Sequence, residues 1–160
     1  MSRESRVTAG ILLILLPAVV YGGTSILSLL IGDPAYAQNE LRQDLWRAGH
    51  AHAGVLLVLS LVTLRYVDEA NLPGWLRSFA RHSIPAAAVL LPAAFFLSVL
   101  SPDAGEPNAM IYLAFVGAVS LASGVLVLGI GLIRRPGNQK EEVRESLEDR
   151  TFHEPQELQP

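Results

Sequence analysis

Long stretches without a charged side chain alternate along this chain with short segments that carry almost all of its charges. Three such stretches, residues 7–31, 83–101 and 109–133, are long enough to cross a bilayer as helices. About 20 apolar residues, at about 1.5 Å of rise each, cross the roughly 30 Å of hydrocarbon in a membrane. A fourth stretch, 48–64, is shorter and contains two histidines, so we interpret it as a span with a polar outer end. The pattern predicts an all-α fold, a four-helix transmembrane bundle.

The positions of arginine and lysine predict how these helices are oriented. Of the 12 Lys and Arg residues, Arg42 and Arg47 lie between the first and second spans. The others lie in the N-terminal segment, in the connection between the second and third spans, and in the C-terminal segment. Basic residues resist translocation and concentrate in cytoplasmic segments. We therefore expect both termini in the cytoplasm and a multi-pass location in a bacterial cytoplasmic (inner) membrane.

The chain divides into a predicted four-span transmembrane domain, residues 1–133, and a polar segment, residues 134–160. The polar segment has too few apolar residues to bury a core, which predicts a mobile cytoplasmic tail. The sequence Pro-Ala-Tyr-Ala-Gln at 34–38 resembles a signal-peptidase site, with the cut after Ala37. The apolar stretch before it is longer than the 7–15 residues usual for a signal peptide, which favours retention as an anchor. Cleavage there would leave three spans.

The composition excludes several kinds of site. The chain contains no cysteine, so disulfides, zinc–thiolate sites, iron–sulfur clusters and covalently attached haem are excluded. The formal net charge is −3, and no basic stripe indicates a nucleic-acid surface. The sequence has no pattern typical of a nucleophilic triad, a phosphate-binding glycine loop or paired carboxylates within a span. It therefore does not favour an enzyme.

His50 and His52 are candidate functional residues, because ionisable side chains in membrane spans are rare and usually serve a function. At about 100° per residue they point about 200° apart on a helix, so they cannot chelate one metal ion as a His-x-x-x-His pair does. Three alternatives remain open from the residues alone. The histidines are polar side chains at the headgroup level, or they bind a cofactor or carry protons, or His50 joins nearby acids in a divalent-cation site. Those acids are Asp33, Glu40 and Asp44.

The run Arg-Ala-Gly-His-Ala-His-Ala-Gly-Val-Leu-Leu-Val-Leu-Ser-Leu at 47–61 resembles the second helix of subunit I in haem–copper oxidases and nitric oxide reductases. It is also similar to small uncharacterised bacterial membrane proteins that carry a short histidine motif in this position. The resemblance implies that His50 or His52 is an axial ligand of haem and that Arg47 pairs with a haem propionate. No other span has a histidine in its interior, so the opposing ligand and the copper ligands are missing and oxidase activity is excluded.

The fourth span is rich in small residues, and Ser120 and Gly124 share one helix face. Their spacing lets helix backbones approach closely in lipid, which favours packing within the chain's own bundle, with a homo-oligomer seam as the alternative. The first functional hypothesis is a non-enzymatic accessory or packing component of the membrane. The second is a haem- or metal-binding membrane protein that uses His50, His52 and Arg47.

Overall fold

A computed structural model describes residues 1–134, and the predicted mobile tail lies outside this range except for its first residue. Five α-helices follow one another along the described residues: α1 Arg3–Gly32, α2 Pro34–Ala37, α3 Glu40–Tyr66, α4 Gly74–Ser98 and α5 Leu113–Ile133. A short 3-10 turn, Ala109–Tyr112, leads into α5, and no strand occurs in residues 1–134. The all-α prediction is confirmed.

Four of these helices are long and apolar enough to cross a membrane: α1, α3, α4, and α5 together with the turn before it. This is the number of spans that the charge pattern predicts, and it is typical of a multi-pass membrane protein. The spans are antiparallel in chain order. At one end, the backbone N–H of Ser2 donates to Asp68, and at the other, the Asn39 side chain donates to the carbonyl oxygens of Pro102 and Ala104. We refer to these as the Asp68 end and the Asn39 end.

Helices α3 and α4 form the centre of the bundle. Helix α4 packs against both α3 and α5 and is the most buried span. The core between α3 and α4 contains Leu57, Leu64 and Ile84. Helix α1 packs along one side of α3 and is the least buried span, with Ser5 and Leu12 as its two buried residues. Most of the apolar surface of α1 therefore faces away from the rest of the chain.

Ser120 and Gly124 lie in the contact between α4 and α5 of the same chain. The Ser120 hydroxyl donates to the backbone carbonyl oxygen of Ser83 at 2.9 Å. A Cβ atom added to Gly124 would lie 2.1 Å from Ser83 Oγ, so any larger residue at this position would require the Ser83 side chain to move. Small residues here bring two helices of one bundle together, as they commonly do in lipid. A homo-oligomer seam through the same residues stays a prediction.

The helices extend beyond the charge-free stretches that predicted them. Helix α4 begins at Gly74, whereas the charge-free stretch begins at Ser83, so the helix extends more than two turns beyond that stretch at its start. The extension tolerates two arginines because both have partners. The guanidinium of Arg77 donates to the carbonyl oxygen of Leu72 at 3.1 Å, and Arg81 is bound to carboxylates.

Arg81 connects α4 to α1 and to the turn after α3 at the Asp68 end. Its side chain is 6% exposed, and its guanidinium donates to the Asp68 carboxylate at 3.0 Å, to Ser5 Oγ at 3.1 Å and to the Glu4 carboxylate. The backbone N–H of Ser2 also donates to Asp68, at 2.6 Å. Burial by itself would raise the pKa of Asp68, but the hydrogen bonds from Ser2, Ser5 and Arg81 outweigh it and lower this pKa to about 2. We call these five residues the Arg81 cluster.

Candidate functional site

His50 lies in an apolar cleft between α1, α3 and α4, in the half of the bundle nearer the Asn39 end. The cleft has a volume of about 280 Å³. His50 is the one titratable side chain in its lining, and its main apolar neighbours are Leu12, Val19, Leu57, Pro85, Val89 and Phe96. Within residues 1–134 the imidazole has no hydrogen-bond partner. His50 is half-buried, and its ring nitrogens, which are free to bond a ligand, are the first reason to consider this cleft a binding site.

A glycine of α1, Gly23, lets that helix come close to His50. A Cβ atom on Gly23 would lie 2.8 Å from His50 Nε2, whereas a Cβ atom on Gly22 would lie 3.8 Å from His50 Nδ1. The ring therefore occupies the space that any side chain at position 23 would need, and its Nε2 atom lies against the α1 backbone. The Nδ1 atom has more room, on the side of Gly22, which itself lines the cleft.

His52 lies in different surroundings and is exposed. Its Nδ1 atom lies 2.7 Å from the carbonyl oxygen of Ala48, and its ring is tilted against Phe95 of α4 with the centroids 5.2 Å apart. Because a carbonyl only accepts, Nδ1 carries the hydrogen, and in the neutral ring the free lone pair is on Nε2. His50 faces α1 and His52 packs beside α4, so the two rings do not converge on one ligand.

Arg47, the third residue of the expected cofactor site, contacts its own helix. Its guanidinium donates to Gln43 Oε1 at 2.5 Å and lies 3.7 Å from a carboxylate oxygen of Asp44. The Arg47 side chain is 51% exposed, so this ion pair is a surface contact of low energy. The three residues that the sequence groups into one site thus have three separate sets of neighbours.

The arrangement around His50 does not fit a haem. Its Nε2 atom, which would bind the iron, lies against α1 at Gly23, which leaves no room for a macrocycle on that side of the ring. The cleft, at about 280 Å³, is also at the small end of the range for organic ligands. His52 has an Nε2 atom free of hydrogen bonds, but no second histidine faces it in the described chain. A haem on His52 would require its other ligand from a second chain.

The alternative prediction, a divalent-cation site, is not supported by the positions of the candidate ligands in residues 1–134. No group of three or more His, Asp or Glu side chains there is placed to hold a metal ion. One of the proposed acids has a structural role instead, since the Asp33 carboxylate accepts from the N–H groups of Ala35 and Tyr36 at the start of α2.

Sequence reasoning missed a cluster at the Asn39 end of the bundle, which contacts the cleft through Phe96. The ring of Trp46 lies 5.5 Å from that of Tyr36 and 5.9 Å from that of Phe96, measured between centroids. The guanidinium carbon of Arg42 lies 4.4 Å from the Trp46 ring centroid, within cation–π range. Burial raises the pKa of the Tyr36 phenol, although Arg47 and Arg42 act in the opposite direction. The signal in the sequence was the spacing of Arg42 and Trp46, four apart on one helix face.

These features define a class of protein: an all-helical chain with four helices of membrane-spanning length and an apolar cleft that contains one histidine. Compared with known proteins, the chain matches no family model, no curated protein and no solved structure.

Proposed function

We propose that the protein is a non-enzymatic, multi-pass accessory component of a bacterial cytoplasmic membrane, with both termini in the cytoplasm. The observation that carries this proposal is the surface of α1. Large apolar side chains along its whole length are exposed, including Ile14 at 78%, Tyr21 at 74% and Ile31 at 79%. A helix that is apolar on its outward side requires lipid or another transmembrane helix beside it.

The roles of the polar side chains support the same proposal. The Arg81 cluster joins α1, α4 and the turn that follows α3. Ser120 joins α5 to α4, and Asn39 joins the start of α3 to the connection after α4. These groups form hydrogen bonds between helices and do not converge on one reacting position, as catalytic groups must. They favour a scaffold that holds its shape in the bilayer.

The expected topology is tested with reporter fusions. A fluorescent protein fused after Arg134 is expected to fluoresce, and alkaline phosphatase inserted at Ala104 is expected to be active, because these positions lie on opposite sides of the membrane. The matched control is alkaline phosphatase at Asn71, in the connection between α3 and α4, which is expected to be inactive. Phosphatase activity at Asn71, or inactivity at Ala104 in a stably expressed fusion, would contradict the orientation.

Haem binding is the second candidate function, and one observation favours it for His52 alone. The hydrogen bond of Nδ1 to Ala48 fixes the neutral ring with Nε2 free, which is the arrangement of many metal-bound histidines. In this alternative a neighbouring chain supplies the second axial ligand. Haem would then lie on the exposed side of α3, near Phe95, and not in the cleft that contains His50.

The two candidates differ in the visible spectrum of the protein purified in detergent, recorded with and without dithionite. As an accessory component the protein is expected to be colourless. As a haem protein it is expected to show a Soret band that His52→Ala removes and His50→Ala leaves in place. A Soret band that depends on His50 would contradict the placement of Nε2 against Gly23, and a band unaffected by either change would exclude both histidines as ligands.

A further inference from the structure

The cleft around His50 is long, narrow and polar at one end only. Positions 12 to 22 of α1 line it, a distance of about 15 Å along the axis at about 1.5 Å per residue. His50, Gly22 and Phe96 lie near the Asn39 end, whereas Leu12 and Pro85 lie deeper in the bundle. A molecule with a small polar head and a hydrocarbon tail would match this shape and polarity.

The hydrogen-bonding groups of the His50 ring indicate what kind of head fits. A neutral imidazole offers one N–H donor and one acceptor nitrogen, and neither has a partner within residues 1–134. An ionised head such as a carboxylate would lose its hydration in this apolar lining at high energetic cost. The nearest cation on the same helix, Arg47, is already paired with Asp44 outside the cleft. A neutral head that accepts a hydrogen bond matches the site better.

The walls of the outer end favour a flat head. Phe96 contributes an aromatic ring there, and Gly22 contributes backbone without a side chain. Aromatic rings prefer offset-stacked or edge-to-face contacts with other planar rings. A second copy of α1 could not enter a cleft of about 280 Å³, and the acyl chain of a phospholipid would fill its deep part without using His50.

We infer that the cleft binds a neutral, lipid-soluble carbonyl compound of the isoprenoid-quinone class. His50 donates a hydrogen bond from Nδ1 to a ring carbonyl oxygen, the ring packs beside Phe96, and the tail runs towards Leu12 and Pro85. This site goes beyond the accessory role proposed above. It does not depend on that role, because the ligand would contact only residues of this chain.

The chain has two tryptophans, Trp46 and Trp75, and this allows a direct binding assay. Trp46 packs on Phe96 at the outer end of the cleft, whereas Trp75 lies in the first turn of α4 at the opposite end of the bundle. In Trp75→Phe protein in detergent micelles, decylubiquinone is expected to quench Trp46 fluorescence with a saturable dependence on concentration. In the matched Trp46→Phe protein it is expected to quench Trp75 without saturation, as a probe dissolved in the micelle does.

Substitutions at the histidines, in the Trp75→Phe background, test the hydrogen bond. His50→Leu is expected to weaken decylubiquinone binding by about 3- to 10-fold, the effect of one lost hydrogen bond. His50→Gln keeps a donor and is expected to retain most of the affinity. His52→Leu, the matched control on the exposed side of α3, is expected to bind as the parent does. Ala18→Phe and Ala88→Leu each fill the cleft and are expected to abolish the saturable quenching, and size-exclusion elution identifies any variant that misfolds.

Three results would overturn the inference. One is the absence of saturable quenching of Trp46 in folded protein. Another is equal affinity of folded His50→Leu and parent protein for decylubiquinone. The third is competition by decylbenzene or decanoate as effective as that by the quinone, which would assign the cleft to plain hydrocarbon or to a carboxylate. A topology opposite to the proposed one would leave all three measurements unchanged, so failure of the accessory proposal and failure of this site are distinguishable.

Discussion

Gly124→Ala is expected to lower the free energy of unfolding by about 1–3 kcal/mol, the range for overpacking of a close-packed interior. The new Cβ atom would lie 2.1 Å from Ser83 Oγ and 3.1 Å from both Ser83 Cβ and Ile84 Cγ1. Rotation of the Ser83 hydroxyl relieves the first contact, but Ser83 Cβ and Ile84 Cγ1 must still shift by a few tenths of an ångström in a closely packed contact. The measurement is unfolding of the purified protein in detergent, by heat or by added sodium dodecyl sulfate.

Gly129→Ala is the matched control, because a Cβ atom at that position of α5 would meet nothing within 4 Å. It is expected to leave the unfolding free energy unchanged or to raise it slightly, since alanine favours helix over glycine. Adding Ser83→Ala to Gly124→Ala is expected to recover part of the loss. The Ser83 hydroxyl is buried without a hydrogen-bond partner, so its removal costs little and takes away the closest contact.

The outcome for Gly124 also bears on the predicted homo-oligomer. If Gly124→Ala were as stable as Gly129→Ala, the close contact between α4 and α5 would be contradicted. If it kept its stability but lost self-association in cross-linking or light scattering, the glycine would face a neighbouring chain. Loss of stability in a protein that shows no self-association would assign Ser120 and Gly124 to the bundle of one chain alone.

The number of membrane-length helices could be predicted from the sequence, because a bilayer requires long apolar stretches and the charges mark where they end. The helix bounds could not. Arg77 and Arg81 interrupt the charge-free pattern, yet both lie inside α4. Arg81 can lie inside this largely apolar helix because it contacts Glu4 and Asp68, which lie in other segments of the chain. No local sequence pattern contains that information.

The candidate site was predictable to a similar extent. The spacing of His50 and His52 predicted that their side chains point in different directions, because residues two apart on a helix lie on opposite faces. The cleft depends on other helices: Gly23 lets α1 approach His50, and Phe96 of α4 lines the end nearer Asn39. Glycine and phenylalanine are common in membrane spans, and only the packing of the helices brings these residues to the cleft. A sequence pattern could therefore identify the histidine but not its surroundings.

Arg81→Met is expected to lower the free energy of unfolding by about 3–5 kcal/mol, the cost of removing one partner from a buried ion pair. The Arg81 side chain is 6% exposed and that of Asp68 is 17% exposed, so water replaces the lost contacts poorly. Arg65→Met is the matched control, because Arg65 and its partner Glu69 are 63% and 50% exposed. It is expected to cost about 0–1 kcal/mol. Equal losses in the two variants would contradict the structural role of the Arg81 cluster.

The acid dependence of unfolding provides a second and independent measurement on the same variant. The pKa of Asp68 is lowered from 3.8 to about 2 in the folded protein, so as the pH falls from about 4 the unfolded chain takes up a proton first. The stability that Asp68 contributes is therefore complete above about pH 4 and is lost as the pH approaches 2, an effect of about 2 kcal/mol. Without the guanidinium, the pKa of Asp68 moves back towards its ordinary value, and the unfolding free energy of Arg81→Met is expected to fall less steeply across this range. Parallel acid profiles for the two proteins would mean that Asp68 is held by Ser2 and Ser5 alone, and that Arg81 acts on stability through packing and Glu4.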